Sequence, residues 1–166
     1  WVLKNYPELE RVMNAVRNKP CLKGCFYCNQ ALDVHKGLKD YFGFDSYRTY
    51  AGELLQENAV KAAIDNKSLL AVFPTGGGKS ITFQVPALVN GVATTGLTVV
   101  ISLLQSLMKD QVDNLEKIGI TDAVTINGLL DPIERSKSFE RVEDGSASLL
   151  YISPESLRSK TIERLL

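Results

Sequence analysis

From Tyr50 onward, apolar and polar positions fall into blocks that predict helices and strands in turn. "GELLQENAVKAAIDN" predicts a helix leading into the apolar run "SLLAVF", which is expected to be a strand buried on both faces. A glycine-rich loop follows, then a helix from Lys79 to about Asn90 with Pro86 as a weak point inside it. "GLTVVIS" predicts a second strand, and "QSLMKDQVDNLEKIG" a second helix that stops at Gly119. "TDAVTIN" predicts a third strand. "DPIERSKSFERVEDG" predicts a helix with Asp131 as its cap, Pro132 at the first position and Gly145 past the end. "SLLYIS" predicts a fourth strand and "PESLRSKTIERLL" a last helix. Strand–helix units repeated at this spacing call for an α/β fold, a parallel sheet covered by helices.

Residues 1–44 follow a different pattern. "YPELERVMNAVRNK" predicts an amphipathic helix, a cluster of cysteines comes next, and a shorter helix is expected near "QALDVHKGLKDYF". We expect a small N-terminal helical segment over 1–44 and a separate domain over 45–166. At 166 residues, 45% hydrophobic and 23% charged, the chain can hold one domain with a core plus such a segment. No apolar run reaches the length of a membrane span, and the N-terminus has no signal-peptide pattern. The chain begins at Trp1, which suggests a piece of something longer. Its 19 Lys and Arg balance 19 Asp and Glu, so any grip on nucleic acid has to come from a local groove.

The stretch "AVFPTGGGKSITFQVPAL" carries the most specific chemistry. A strand, a loop of the form G-x-x-x-x-G-K-[ST] and a helix would place backbone N–H groups around a phosphate at the helix N-terminus. Gly78, Lys79 and Ser80 supply the end of that pattern, while Phe73 stands where its first glycine would be. Thr75, Gly76 and Gly77 complete "PTGGGKS". Lys79 would neutralise phosphate charge and Ser80 would ligate Mg²⁺. The bland alternative is a glycine-rich turn beside a lysine.

"PTGGGKS" with "ITFQVPAL", followed by "TVVISLLQSLMKDQVDNL" and "SLLYISPESL", resembles the successive motifs of superfamily 2 helicases, and within them the RecQ-like group. Upstream, "YFGFDSYR" and "LLQENAV" are similar to that group's adenine-recognition element. The resemblance implies that 45–166 is the first RecA-like, P-loop domain of such a helicase, truncated, and that it binds ATP and Mg²⁺. It implies that Phe44 and Arg48 sandwich the adenine ring and that Gln56 reads its edge. Seven residues separate Arg48 from Gln56, more than the family spacing, so an insertion must loop out for both to reach the base. Ser102, Leu104 and Ser106, with Ser153 and Pro154, are expected to face the DNA backbone. Leu103 stands where the family has proline, and losing that fixed φ would let the following helix start earlier or leave the turn looser; Ser153 could equally be a helix cap.

The implied partners are single-stranded DNA and duplex junctions, together with a second, C-terminal motor domain of the same parent chain. The implied location is cytoplasmic and DNA-associated. ATP hydrolysis needs a further acidic site for Mg²⁺ and for the attacking water; in this family it is a DExH motif, which residues up to Leu166 do not contain. Asp110 and Glu155 are acidic and near the right motifs, but neither is placed on an apolar strand as such a carboxylate should be, and both are expected to be solvated. These residues alone are therefore expected to bind ATP weakly and not to unwind DNA. Two rivals remain: a nucleotide- and nucleic-acid-binding module without motor activity, and a small-molecule kinase, against which "SLMKDQV" and "LLYISPE" both argue.

"CLKGCFYC" places Cys21, Cys25 and Cys28 in the spacing C-x₃-C-x₂-C, with His35, the sole histidine, seven residues beyond. Three thiolates and an imidazole could complete a tetrahedral Zn²⁺ site. Inert buried thiols of a reduced cytosolic protein are the competing reading. The spacing also resembles the iron–sulfur loop of radical SAM enzymes, but the barrel that family needs does not fit before the phosphate loop.

Overall fold

The computed structural model describes residues 6–165. Its helices are α1 (Pro7–Val16), α2 (Phe26–Ala31), α3 (Val34–Phe42), α4 (Leu55–Ile64), α5 (Ile81–Thr94), α6 (Gln105–Lys117), α7 (Pro132–Glu143) and α8 (Lys160–Leu165). The strands are β1 (Thr98–Ile101), β2 (Ala123–Ile126) and β3 (Leu149–Ile152). They form a parallel sheet in the order β1-β3-β2, with Ile101, Ile152 and Ile126 level with one another. This is the α/β architecture of an incomplete RecA-like domain, and the cysteine-bearing segment precedes it.

β3 is central, and its alternation fixes the layers. Leu149 and Tyr151 join Ala87 and Leu88 of α5 and Met108, Val112 and Leu115 of α6 in one core. Leu150 and Ile152 face the other way, onto Ile126 and Ile162, with Phe139 and Val142 of α7 packed against them. Each such buried aliphatic side chain contributes about 1.5–3 kcal/mol. α5 has two buried faces: Val85 and Val89 pack on Val34 and Leu38 of α3 and on Val60 and Ile64 of α4. The N-terminal segment's last helix thus shares a core with the helix that follows the phosphate loop.

The predicted caps are present. The Asp131 carboxylate accepts from the N–H groups of Ile133 and Glu134, both at 2.8 Å, and Gly119 and Gly145 follow α6 and α7 with positive φ. Asp33 caps α3 in the same way through His35 and Lys36. Pro86 lies inside α5 without ending it. Two expectations need correction. "SLLAVF" is not a strand: it pairs with no neighbour, and Leu70 and Val72 are 92% and 80% exposed. An apolar run becomes a strand only when a flanking strand takes up its N–H and C=O groups, and among the described residues none lies beside it. The last helix is also broken, into a 3₁₀ turn over Ser156–Arg158 and then α8.

Candidate functional site

Residues 73–80 deliver the chain to the N-terminus of α5, a 14-residue helix whose dipole and free amides favour an anion there. Three side chains from residues 48–56 hold three successive glycine carbonyls. Arg48 donates to Gly76 O at 3.1 Å, the Tyr50 hydroxyl donates to Gly77 O, and Gln56 Nε2 donates to Gly78 O at 2.8 Å. A trans peptide points its C=O and the following N–H in opposite directions, and no cis bond occurs among the described residues. Tying back the carbonyls therefore turns the amides of Gly78 and Lys79 away from residues 48–56, and no backbone carbonyl takes either amide. The Gly77 amide closes the turn onto Pro74 O at 3.0 Å.

The glycines are sterically required. Gly76 and Gly78 have φ of 74° and 65°, which a side chain disfavours. A Cβ at Gly77 would stand 2.8 Å from Pro74 O, and one at Gly78 would stand 2.8 Å from the Gln56 amide nitrogen. Lys79 is exposed and forms no ion pair among the described residues. Ser80 is half-buried at the start of α5, and its carbonyl accepts from Gln84 N at 2.9 Å. Thr75 is exposed on the rim. A loop of this shape, with free amides, an unpaired lysine and a hydroxyl in one place, fits a nucleotide's phosphates and their Mg²⁺.

The other predicted residues of this site gather on one side of it. Phe44, Arg48 and Gln56 line a cavity of about 260 Å³ with Leu38, Gly78 and Ile81. Gln56 Oε1 also accepts from the Arg48 backbone N–H at 2.9 Å, so each end of its amide has one protein partner. A primary amide has two donors and two lone pairs, which leaves one of each for a ligand. The extra residues between Arg48 and Gln56 form a tight turn: Tyr50 and Glu53 exchange backbone hydrogen bonds across Ala51 and Gly52, both at positive φ. Tyr50 was invisible to motif reading, because its contact with Gly77 is tertiary and it lies in the inserted stretch.

At the carboxyl edge of the sheet, Ser102, Asn127 and Ser153 follow the three level isoleucines. Ligands of open α/β sheets bind at this edge. Ser102 Oγ accepts from Leu104 N at 3.4 Å, Leu103 and Leu104 are exposed, and Ser106 is exposed in the first turn of α6. Ser106 lines a cavity of about 320 Å³ with Gln105, Lys109 and Asn127, polar groups that the sequence did not single out. Ser153 differs. It is buried, its hydroxyl pairs with that of Ser156 at 2.9 Å, and Pro154 beside it is half-buried.

Residues 53–165, more than half of the 166-residue chain, match the family described as "DEAD/DEAH box helicase". The chain belongs to the DEAD/DEAH box helicase family. It is 40% identical over 130 residues to "ATP-dependent DNA helicase RecQ" of Bacillus subtilis, covering 78% of this chain and 20% of that protein. It is 38% identical over 129 residues to the protein of the same name from Haemophilus influenzae, covering 78% and 19%. With "ATP-dependent DNA helicase Q5" of Rattus norvegicus it shares 36% over 133 residues, covering 78% and 13%. The chain spans about a fifth of the length of the two RecQ relatives. Phe44 and Arg48 precede the family match, while Gln56 and the phosphate loop lie inside it. No helix among the described residues of this DEAD/DEAH-family chain is long and apolar enough to cross a membrane.

The cysteines also precede the family match. Their three Sγ atoms lie within 4.8 Å of one another, with Cys28 and Cys21 at 3.5 Å. The Cys28 backbone N–H, then the neighbouring thiols, hold Cys25 below the ordinary thiol range, while hydrogen bonding to Cys25 pushes Cys21 up to about 11. His35 is not brought to them. Its Nε2 pairs with Glu57 at 3.0 Å, linking α3 to α4.

Proposed function

We propose that this chain is the nucleotide-gripping part of a RecQ-like, ATP-dependent DNA helicase, whose parent couples ATP hydrolysis to movement along single-stranded DNA and to opening of duplex junctions. The observation that carries the reading is the set of three side-chain bonds to the carbonyls of Gly76, Gly77 and Gly78, which aims amides at the N-terminus of α5. ATP supplies the hydrolysable phosphoanhydride when bound. The amides of Gly78 and Lys79 with the Lys79 ammonium hold its phosphates, and the Ser80 hydroxyl is a Mg²⁺ ligand. Phe44 and Arg48 flank the adenine and Gln56 bonds its edge. The likeness to RecQ proteins supports DNA as the polymer, contacted along Ser102, Leu104 and Ser106 at the sheet edge. Pro154 would close that edge, with Ser153 shaping it from beneath. The groups that activate water and the second motor domain belong to the rest of the parent chain, and the working location is cytoplasmic, on DNA. The reading extends to Zn²⁺ at Cys21, Cys25 and Cys28.

The test is DNA-stimulated ATP hydrolysis by the full-length protein. Lys79→Ala is expected to lower the stimulated rate by about 100-fold or more, the scale of one lost transition-state donor, with folding preserved by circular dichroism. Wild-type protein that hydrolyses ATP no faster with single-stranded DNA than without it would overturn the motor reading.

A further inference from the structure

We infer that Cys21, Cys25 and Cys28 hold one mononuclear Zn²⁺-class ion, and that this ion, not a hydrophobic core, keeps residues 18–31 in place. The inference rests on the zinc reading above and deepens it. Tetrahedral zinc with Zn–S of about 2.3 Å sets its sulfurs about 3.8 Å apart. The three Sγ atoms, all within 4.8 Å and one pair at 3.5 Å, already stand near that spacing. An iron–sulfur cluster caps a different iron with each thiolate and so needs its sulfurs spread more widely. The spacing that resembles a cluster loop is thus folded here into a pocket for a single ion.

The surroundings explain why an ion is needed. α2 has no buried residue, and Leu22, Phe26 and Tyr27 are all more than 70% exposed. Fixing each backbone residue costs about 1–2 kcal/mol of conformational entropy, and burial within the loop does not offset it. One side-chain bond, Asn18 Nδ2 to Ile64 O at 2.8 Å, ties the start of the loop to α4. Metal–thiolate bonds can supply the remainder, as in small domains whose metal affinity is their folding energy. The loop supplies three ligands. His35 is engaged by Glu57, and among the described residues no other Cys, His, Asp or Glu joins the group. The fourth position therefore falls to a ligand from outside the loop.

The experiment compares full-length protein with its C21S/C25S/C28S variant, both purified under reducing conditions. Wild type is expected to carry one more zinc per chain than the variant. Cobalt substitution should give tetrahedral ligand-field bands and charge-transfer intensity matching three thiolates. Chelation should speed proteolytic cleavage within residues 18–31 by about tenfold or more, with the sheet domain still protected. No difference in zinc, acid-labile sulfide with iron, or a Cys21–Cys28 disulfide in the reduced protein would each overturn the site. Unchanged cleavage after chelation would overturn its bracing role. Lys79→Ala should keep the ion while losing ATPase, so failure of the motor reading and failure of the metal site remain separate results.

Discussion

Tyr50 and Gln56 govern the phosphate loop through hydroxyl and amide groups that leave the phosphate side clear. Tyr50→Phe removes the donor to Gly77 O and lets that peptide rotate. A neutral hydrogen bond contributes about 0.5–1.5 kcal/mol, so affinity for a fluorescent ATP analogue should fall about 2- to 12-fold. Gln56→Ala removes bonds to both Arg48 and Gly78 and should cost more, with the nucleotide on-rate largely kept. Equal affinity in both variants and wild type would mean that the loop holds its shape without them. Neither effect could be read from the sequence. Spacing showed that the residues between Arg48 and Gln56 must loop out, but not that their turn would aim a tyrosine at the glycines. That turn has a cost, since Ala51 sits at φ 50°. An L-residue there loses roughly 1–2 kcal/mol, so Ala51→Gly should raise the unfolding midpoint in denaturant.

At the level of elements, the parts that carry their own instructions were legible. Asp131, Pro132 and Gly145 specify α7 locally, and β3 is specified by an apolar run that finds neighbours on both sides. "SLLAVF" has the same kind of composition but lacks the neighbour, and composition cannot report that. The break before α8 falls at Ser159, whose backbone is extended at ψ 128°, and it is likewise invisible in periodicity. The α5–sheet contact also depends on fit. A Cβ on Gly91 would fall 2.4 Å from Ser148 Cβ, just before β3. Gly91→Ala should therefore destabilise by about 1–3 kcal/mol through overpacking, although alanine is the better helix former. The α3–α4 link adds a pH dependence. Lys61, then His35, hold the Glu57 carboxyl below the usual carboxylate range. Its stabilising contribution is thus present above the unfolded value of about 4.3 and lost as pH falls through the lower folded value. Glu57→Gln should flatten that acid limb of the stability profile.

Across the whole molecule, the helix that follows the phosphate loop and the elements of the sheet edge are joined by a buried polar side chain, Gln84, with two hydrogen bonds. Gln84, in the second turn of α5, donates through Nε2 to Gln111 Oε1 at 3.0 Å on α6 and to the Tyr151 hydroxyl at 3.2 Å on β3. Ser80 stands at the N-cap of α5, α6 carries Ser106, and β3 leads to Ser153, so the contact ties the nucleotide end to the two elements that carry Ser106 and Ser153 of the proposed DNA edge. Burial forces the geometry, because a buried amide that loses a partner costs about 1–3 kcal/mol. Movement of α5 relative to the sheet must then either carry α6 with it or break that bond. In the full-length protein, Gln84→Ala is expected to lower the DNA stimulation of ATPase about 2- to 30-fold, the range of coupling energies for such intermediaries. Basal ATPase and nucleotide affinity should change less. A variant that loses basal and stimulated rates in equal proportion would show that Gln84 only stabilises the core. One that keeps full stimulation would show that the signal passes along the backbone from Ser80 into α5 without this bridge.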